Sequence, residues 1–209
     1  MTVTGIPDTT DPGLPSEDIA ASAGERTVNR VVCLGGGHGL FATLRAARGA
    51  ADNVTAVVTV ADDGGSSGRM RRELGSLPPG DLRMALAALV RDTPRGRMWE
   101  RTLQHRFGGH GALAGHAVGN LILGGLTEVM GDSVAALDEL SDLLGVRGRV
   151  LPMSLEPLDL EAEVQGLGDD PREVTAVRGQ VAVASTLGQV RRVRLIPQAV
   201  SYTHLRAHE

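Results

Sequence analysis

The sequence contains no lysine; all 21 of its basic residues are arginine. That absence excludes a Walker A phosphate loop, a Schiff-base lysine and a lysine general base. Any cation that meets a phosphate must then be an arginine, a helix N-terminus or a metal. Cysteine is nearly missing as well. Cys33 stands alone, which excludes a disulfide framework and a thiolate metal cluster. Inside an apolar run it reads as a small buried hydrophobe. No apolar run is long enough to span a membrane, and none is placed as a signal peptide would be. The expected location is therefore cytoplasmic, without membrane insertion. Basic residues are not in excess: the net charge of −4 gives no general pull toward nucleic acid or an anionic surface. No internal repeat is found.

What is present suits a soluble globular chain. Of 209 residues, 42% are hydrophobic and 22% charged, enough to bury a core in one domain or one and a half. Residues 1–28 are rich in Thr, Pro, Asp, Ser and Gly and are expected to form a flexible tail. Arg30–Leu34 reads as a parallel strand buried on both faces. A helix over 39–49 follows, with Leu40, Leu44 and Ala47 on one face. Val54–Val60 is the second strand, and the order strand, helix, strand implies a right-handed crossover. A short helix over 67–74 takes Ser66 or Ser67 as its cap. Asp81 caps another helix that runs to about Val90, and Thr93-Pro94 starts a further one. Trp99, Leu103 and Phe107 recur at helical spacing, as core residues do. Ala117–Val129 is an apolar helix whose Gly119, Gly124 and Gly125 imply close backbone packing, since glycine inside a helix costs about 1 kcal/mol. Ser133–Leu144 is the last helix. Leu158–Val164 alternates strictly, as a half-buried antiparallel strand does. Val181–Val183 and Val190–Leu195 look similar, so 147–197 is expected to be β-rich.

The residues able to do chemistry cluster at strand ends. Gly35, Gly36, Gly37, His38, Gly39 and Leu40 follow the first strand, and Gly37–Ala42 fits the dinucleotide pattern G-x-G-x-x-A. Such glycines let a ligand approach the backbone, and the helix N-terminus behind them favours anions. A tight strand–helix turn would also call for glycine, but three in a row exceed what a turn needs, which favours ligand binding. Asp62, Asp63, Gly64, Gly65, Ser66 and Ser67 end the second strand. Neighbours in an extended chain face opposite ways, so Asp62 and Asp63 make a poor acid–base dyad. One is expected to face a ligand or metal while the other ties down the loop. Arg69, Arg71 and Arg72 follow, and arginine grips phosphate bidentately. Asp81 and Arg83 could join the same crevice. Asn120, expected to be buried, either contacts the ligand or makes a packing hydrogen bond. His110 and His116 lack tight metal-ligand spacing, so no zinc site is assigned. Loops at the carboxyl ends of adjacent parallel strands share one crevice, so the two glycine-containing loops predict a nucleotide-type site.

Taken together, Leu34-Gly-Gly-Gly-His-Gly-Leu40, Val58-Thr-Val-Ala-Asp-Asp-Gly-Gly-Ser-Ser-Gly-Arg69, Pro79-Gly-Asp-Leu-Arg83, Gly115-His-Ala-Val-Gly-Asn-Leu121 and Val146-Arg-Gly-Arg-Val-Leu-Pro152 resemble the gluconeogenesis factor (YvcK-like) family. That family sits in the CofD-like superfamily, and the resemblance runs from about Asn29 to Pro197. It implies a Rossmann-like α/β fold: a parallel sheet with helices on both faces, a β-rich segment near the C-terminal end, and an incomplete domain. It implies a regulatory protein that binds a UDP-sugar such as UDP-N-acetylglucosamine and supports cell shape and wall synthesis on gluconeogenic carbon. Cell-wall synthesis proteins are the implied partners, and a homo-oligomer is a further possibility. The other branch of the superfamily implies an alternative, a 2-phospho-L-lactate transferase-like enzyme using Asp62 or Asp63 to hold Mg²⁺. The G-x-G-x-x-A match leaves NAD-type binding as another. His38 stands where many members have threonine, and Met84 where many have asparagine. Family members continue well past Pro197, whereas residues 201–209 match nothing in the family and read as non-native. His204 and His208 within them are not taken as a metal pair.

Overall fold

Apolar runs broken by glycine turns give the chain its strand–helix alternation. The computed structural model describes residues 28–197. The expectations placed on residues 1–27 and 198–209 lie outside the described residues. Strand β1 (Val28–Gly35) leads through helix α1 (Gly37–Ala50) into β2 (Ala51–Val58). The two strands are parallel, with Cys33 opposite Ala56 and Leu34 opposite Val57. Five helices follow: α2 (Gly65–Leu74), α3 (Pro79–Leu89), α4 (Pro94–Gln104), α5 (Val118–Met130) and α6 (Ser133–Leu144). Strand β3 (Arg149–Pro152) then joins the far side of β2, parallel to it, giving the order β1-β2-β3. The chain next builds a second, antiparallel sheet from β4 (Asp159–Gln165), β5 (Val174–Arg178) and β6 (Gln189–Ile196), with β4 central. A short helix α7 (Gln180–Ser185) lies between β5 and β6. Among the described residues, no helix is long and apolar enough to cross a membrane.

One face of the parallel sheet carries the core. Cys33, Ala56, Val58 and Val150 are buried there with Leu40 and Leu44 of α1, Leu86 and Leu89 of α3, and Leu137 and Leu140 of α6. Burial at this density removes roughly 1.5–3 kcal/mol of unfavourable hydration per large side chain. The other face is thinly covered. Val32 is 59% and Leu34 72% exposed, which corrects the expectation that β1 is buried on both sides. The strand is an edge in the order β1-β2-β3, so its apolar sequence does not reveal which face is covered.

Local chemistry explains most of the boundaries. Thr93 caps α4, its hydroxyl accepting from the Gly96 N–H at 3.0 Å, with Pro94 at the first helical position. Asp132 caps α6 through the amides of Val134 and Ala135. Helix α2 starts earlier than its serines suggested. Its cap is Gly64, and Ser66 and Ser67 lie inside the first turn, Ser66 bonded to His116 and Asn120 instead. Asp81 does not cap α3 either; it sits in that helix's first turn and its carboxylate points elsewhere. Of the three glycines in α5, two sit in close contact. A Cβ on Gly119 would lie 2.8 Å from Arg83 Cγ and one on Gly124 2.5 Å from Met70 Cε, while Gly125 faces open space. Phe107 falls beyond the end of α4.

The largest departure is at Val181–Val183, expected as strand and found inside α7. Three alternating apolar residues are too few to fix a period, and the helix start is set from outside, by Asp63 accepting from the Val181 N–H at 3.0 Å. Strand β5 was not anticipated. Its residues are mostly exposed, so it carries no apolar signature.

Candidate functional site

The ends of β1 and β2 and the starts of α1 and α3 surround a cavity of about 420 Å³. Gly36 and Gly37 form one wall, with Gly37 at a positive φ of 59° that favours glycine. Thr59, Ala61 and Asp62 descend from the end of β2, and Asp81 projects from the first turn of α3. Leu160 of β4 and Gln180 of α7 close the rim. The two loops singled out in the sequence thus meet on one pocket above adjacent parallel strands.

Asp81 is the most constrained group in it. Its Oδ2 accepts from the Thr59 hydroxyl at 3.0 Å, and its carboxylate also accepts from the Gly37 N–H. It therefore occupies the N-terminal end of α1, where an anion is favoured. Burial pushes the Asp81 carboxyl above its ordinary range, and the neighbouring Asp62 adds to that, while Thr59 and Gly37 pull against it. Asp62 turns its Oδ1 onto the Gly64 N–H at 3.0 Å. A Cβ on Gly80 would lie 3.1 Å from Asp62 Oδ2 and 2.2 Å from Ser67 Oγ, so Gly80 leaves the space in which Asp62 and Ser67 approach α3. A Cβ on Gly36 would lie 2.2 Å from both Asp81 Oδ2 and Thr59 Oγ1.

Several candidates are placed elsewhere. Asp63 is not part of the cavity lining and accepts from the Val181 N–H at the start of α7. Gly64 and Gly65 shape the turn into α2, with Gly65 at a φ of 46°. His38 and Gly39 are exposed, and Leu40 is buried in the core beneath the loop. Gly35 passes its carbonyl to the Thr59 N–H at 2.9 Å. Arg69 donates to the Ala114 carbonyl at 2.7 Å. Arg71 bonds the Leu158 carbonyl at 3.0 Å and Asp159 at 2.5 Å.

Ser66 and Asn120 belong to a buried polar chain. Ser66 Oγ lies 3.0 Å from His116 Nδ1 and accepts from Asn120 Nδ2 at 2.9 Å. Asn120 Oδ1 accepts from Arg83 Nε at 2.9 Å, and Arg83 also bonds Gln104. Burial, with Arg106 nearby, lowers the Arg83 guanidinium to about 10. Burial and the charge of Arg69 lower His116. This chain fastens α2, α3, α4 and α5 together rather than lining the cavity. Asn120 resolves toward packing.

Among the described residues no cationic side chain lines the cavity, and no group of three or more His, Cys, Asp or Glu is arranged to hold a metal. Its polar equipment is two carboxylates, the Thr59 hydroxyl, the Gln180 side-chain amide and the backbone amides at the start of α1. Carboxylates and a threonine hydroxyl accept from ligand hydroxyls, and the amides at the start of α1 suit an anionic group. Thr59, Leu160 and Gln180 escaped the sequence reading. The first lies one residue past β2, where crevice residues of α/β sheets belong; no local pattern marks the other two.

Comparison with known proteins agrees with this architecture. The family model for 2-phospho-L-lactate transferase CofD matches residues 31–207. A Mycobacterium tuberculosis relative is 67% identical over 167 residues, covering 80% of this chain and 49% of the relative. The gluconeogenesis factor of Bacillus subtilis is 42% identical over 171 residues, covering 82% of this chain and 51% of the relative. A crystal structure of a Bacillus halodurans protein, assigned to the UPF0052 family, superposes with a TM-score of 0.70 at 41% identity, over 81% of this chain and 51% of that one. The chain thus spans about half the length of the relatives it matches.

Proposed function

This chain belongs to the CofD family, and from that premise we propose that it is a UDP-sugar-binding regulator of the gluconeogenesis factor type. The observation that carries the proposal is the convergence of Gly36, Gly37, Asp62 and Asp81 on one cavity of about 420 Å³. That volume is within the ordinary range for small-ligand sites, about 300–1,000 Å³. The two carboxylates and Thr59 suit the hydroxyls of a sugar or ribose. The start of α1 suits a phosphate, although Asp81 already holds the Gly37 amide. A cytoplasmic setting and a role in cell shape and wall synthesis belong to the same proposal.

A second reading rests on the pairing of Asp62 with Asp81, and on the transferase name of the matching family model. In it the chain helps a phospholactyl-type transfer from a nucleotide donor. Mg²⁺ takes one or two carboxylates together with substrate phosphates; Asp62 and Asp81 would hold it, since Asp63 is engaged by α7. When bound, it would neutralise phosphate charge. The residues themselves orient the donor and keep Asp81 hydrogen-bonded to Thr59.

Calorimetric titration separates the two. Saturable heat with UDP-N-acetylglucosamine, lost in Asp81→Asn, supports the regulator. Heat with GDP plus Mg²⁺ and turnover of a deazaflavin acceptor would replace it with the enzyme. Heat with NADH alone would overturn both.

A further inference from the structure

A second concave surface lies at the opposite end of the same two helices. It is a groove of about 550 Å³ lined by Arg45, Arg48, Arg91 and Arg147, with Gly49, Asp92 and Thr93 between them. Three separate parts of the chain deliver these arginines: the last turns of α1, the turn between α3 and α4, and the turn between α6 and β3. In a chain with a net charge of −4, four guanidinium groups around one hollow are a concentrated positive field.

Part of that charge is used in packing. Arg48 donates to the Ala88 and Val90 carbonyls at the end of α3, the first at 3.1 Å. Arg45 pairs with Glu100 at 3.0 Å and lies 5.8 Å from the Phe41 ring centroid. Among the described residues Asp92 is the only carboxylate in the lining, and Arg97 takes it at 2.6 Å. Arg91 and Arg147 are exposed and form no ion pair among the described residues. The N-terminus of α4, capped by Thr93, adds partial positive charge at the same rim. It stands against the partial negative charge of the α1 and α3 C-termini, which Arg48 offsets by donating to Ala88 and Val90.

We infer that this groove binds a small anion carrying two or more phosphoryl groups. Guanidinium forks match phosphate oxygens two at a time. The lining holds no large apolar side chain to seat a peptide, and the volume is that of a small-molecule site. Gly37 and Arg48 are eleven residues apart on α1, so the groove lies about 16 Å along that helix from the acidic cavity. The two sites are therefore distinct, and the inference does not rest on the proposed function.

The test is calorimetric titration of this chain with tripolyphosphate, a hexose bisphosphate and citrate. One-to-one binding of at least one phosphorylated probe is expected, weakening as salt rises. Arg91→Ala combined with Arg147→Ala should weaken it at least tenfold, as should Arg91→Gln with Arg147→Gln, which retains more of each side chain. Asp81→Asn should leave it unchanged. The tighter of the two phosphorylated probes identifies the source, an ester or a free polyphosphate, and either supports the site. Absence of saturable binding, equal binding by citrate, retention in both double variants, or loss in Asp81→Asn would each overturn it.

Discussion

Asp81 is half-buried beside a second carboxylate, so its charged form opposes folding. Its folded pKa is raised, principally by burial. A group so shifted favours the folded chain below its unfolded value of 3.8, and that contribution is lost as pH rises through the folded value. Asp81→Asn should therefore raise Tm by a few degrees at pH 7, and the gain should shrink as pH falls toward 4, read by thermal melts across pH. The same substitution should weaken UDP-sugar binding at least tenfold. Gly36→Ala tests the geometry from the other side. Its new methyl would lie 2.2 Å from Asp81 Oδ2 and Thr59 Oγ1, so it should cost about 1–3 kcal/mol of stability, by overpacking, and abolish binding. Chemical denaturation and calorimetry on one preparation would read both effects.

Helix α2 is fixed at both ends by polar side chains. At its start, Ser66 joins His116 and Asn120; near its end, Arg71 reaches Leu158 and Asp159 of the second sheet. Ser66→Ala leaves the buried Asn120 Nδ2 without its acceptor and should cost about 1–3 kcal/mol in denaturant melts. The neighbouring imidazole adds a pH dependence. His116 has a lowered folded pKa, so stability is complete above its unfolded value of 6.5 and declines as pH falls below it. His116→Gln should flatten that part of the profile. Burial alone would raise Asp159, yet Arg178 and Arg71 together hold it below its ordinary range. Long elements were legible because their periodicity carries the information: α6 begins and ends where the pattern predicts, and α5 nearly so. What misled was chemistry completed by distant residues. Ser66 looked like a cap, but its partners are fifty residues or more away, and the start of α7 is set by Asp63 from the loop after β2.

For the molecule as a whole, the strand–loop–helix units and the crevice between β1 and β2 could be read from the chain. The second sheet's position against them could not. Leu160 and Gln180 close the cavity from that sheet and its helix, and they are held there by Arg71, Asp159 and Asp63 rather than by any local motif. Arg71→Ala should loosen this docking, seen as at least tenfold faster amide hydrogen exchange in β4 with little change in β2. One wall of the cavity comes from the second sheet and its helix, so filling the cavity should also hold that sheet in place. A ligand bridging Gly37 and Gln180 would slow exchange in β4, and the Arg71 variant would bind it more weakly without losing a single atom that touches it.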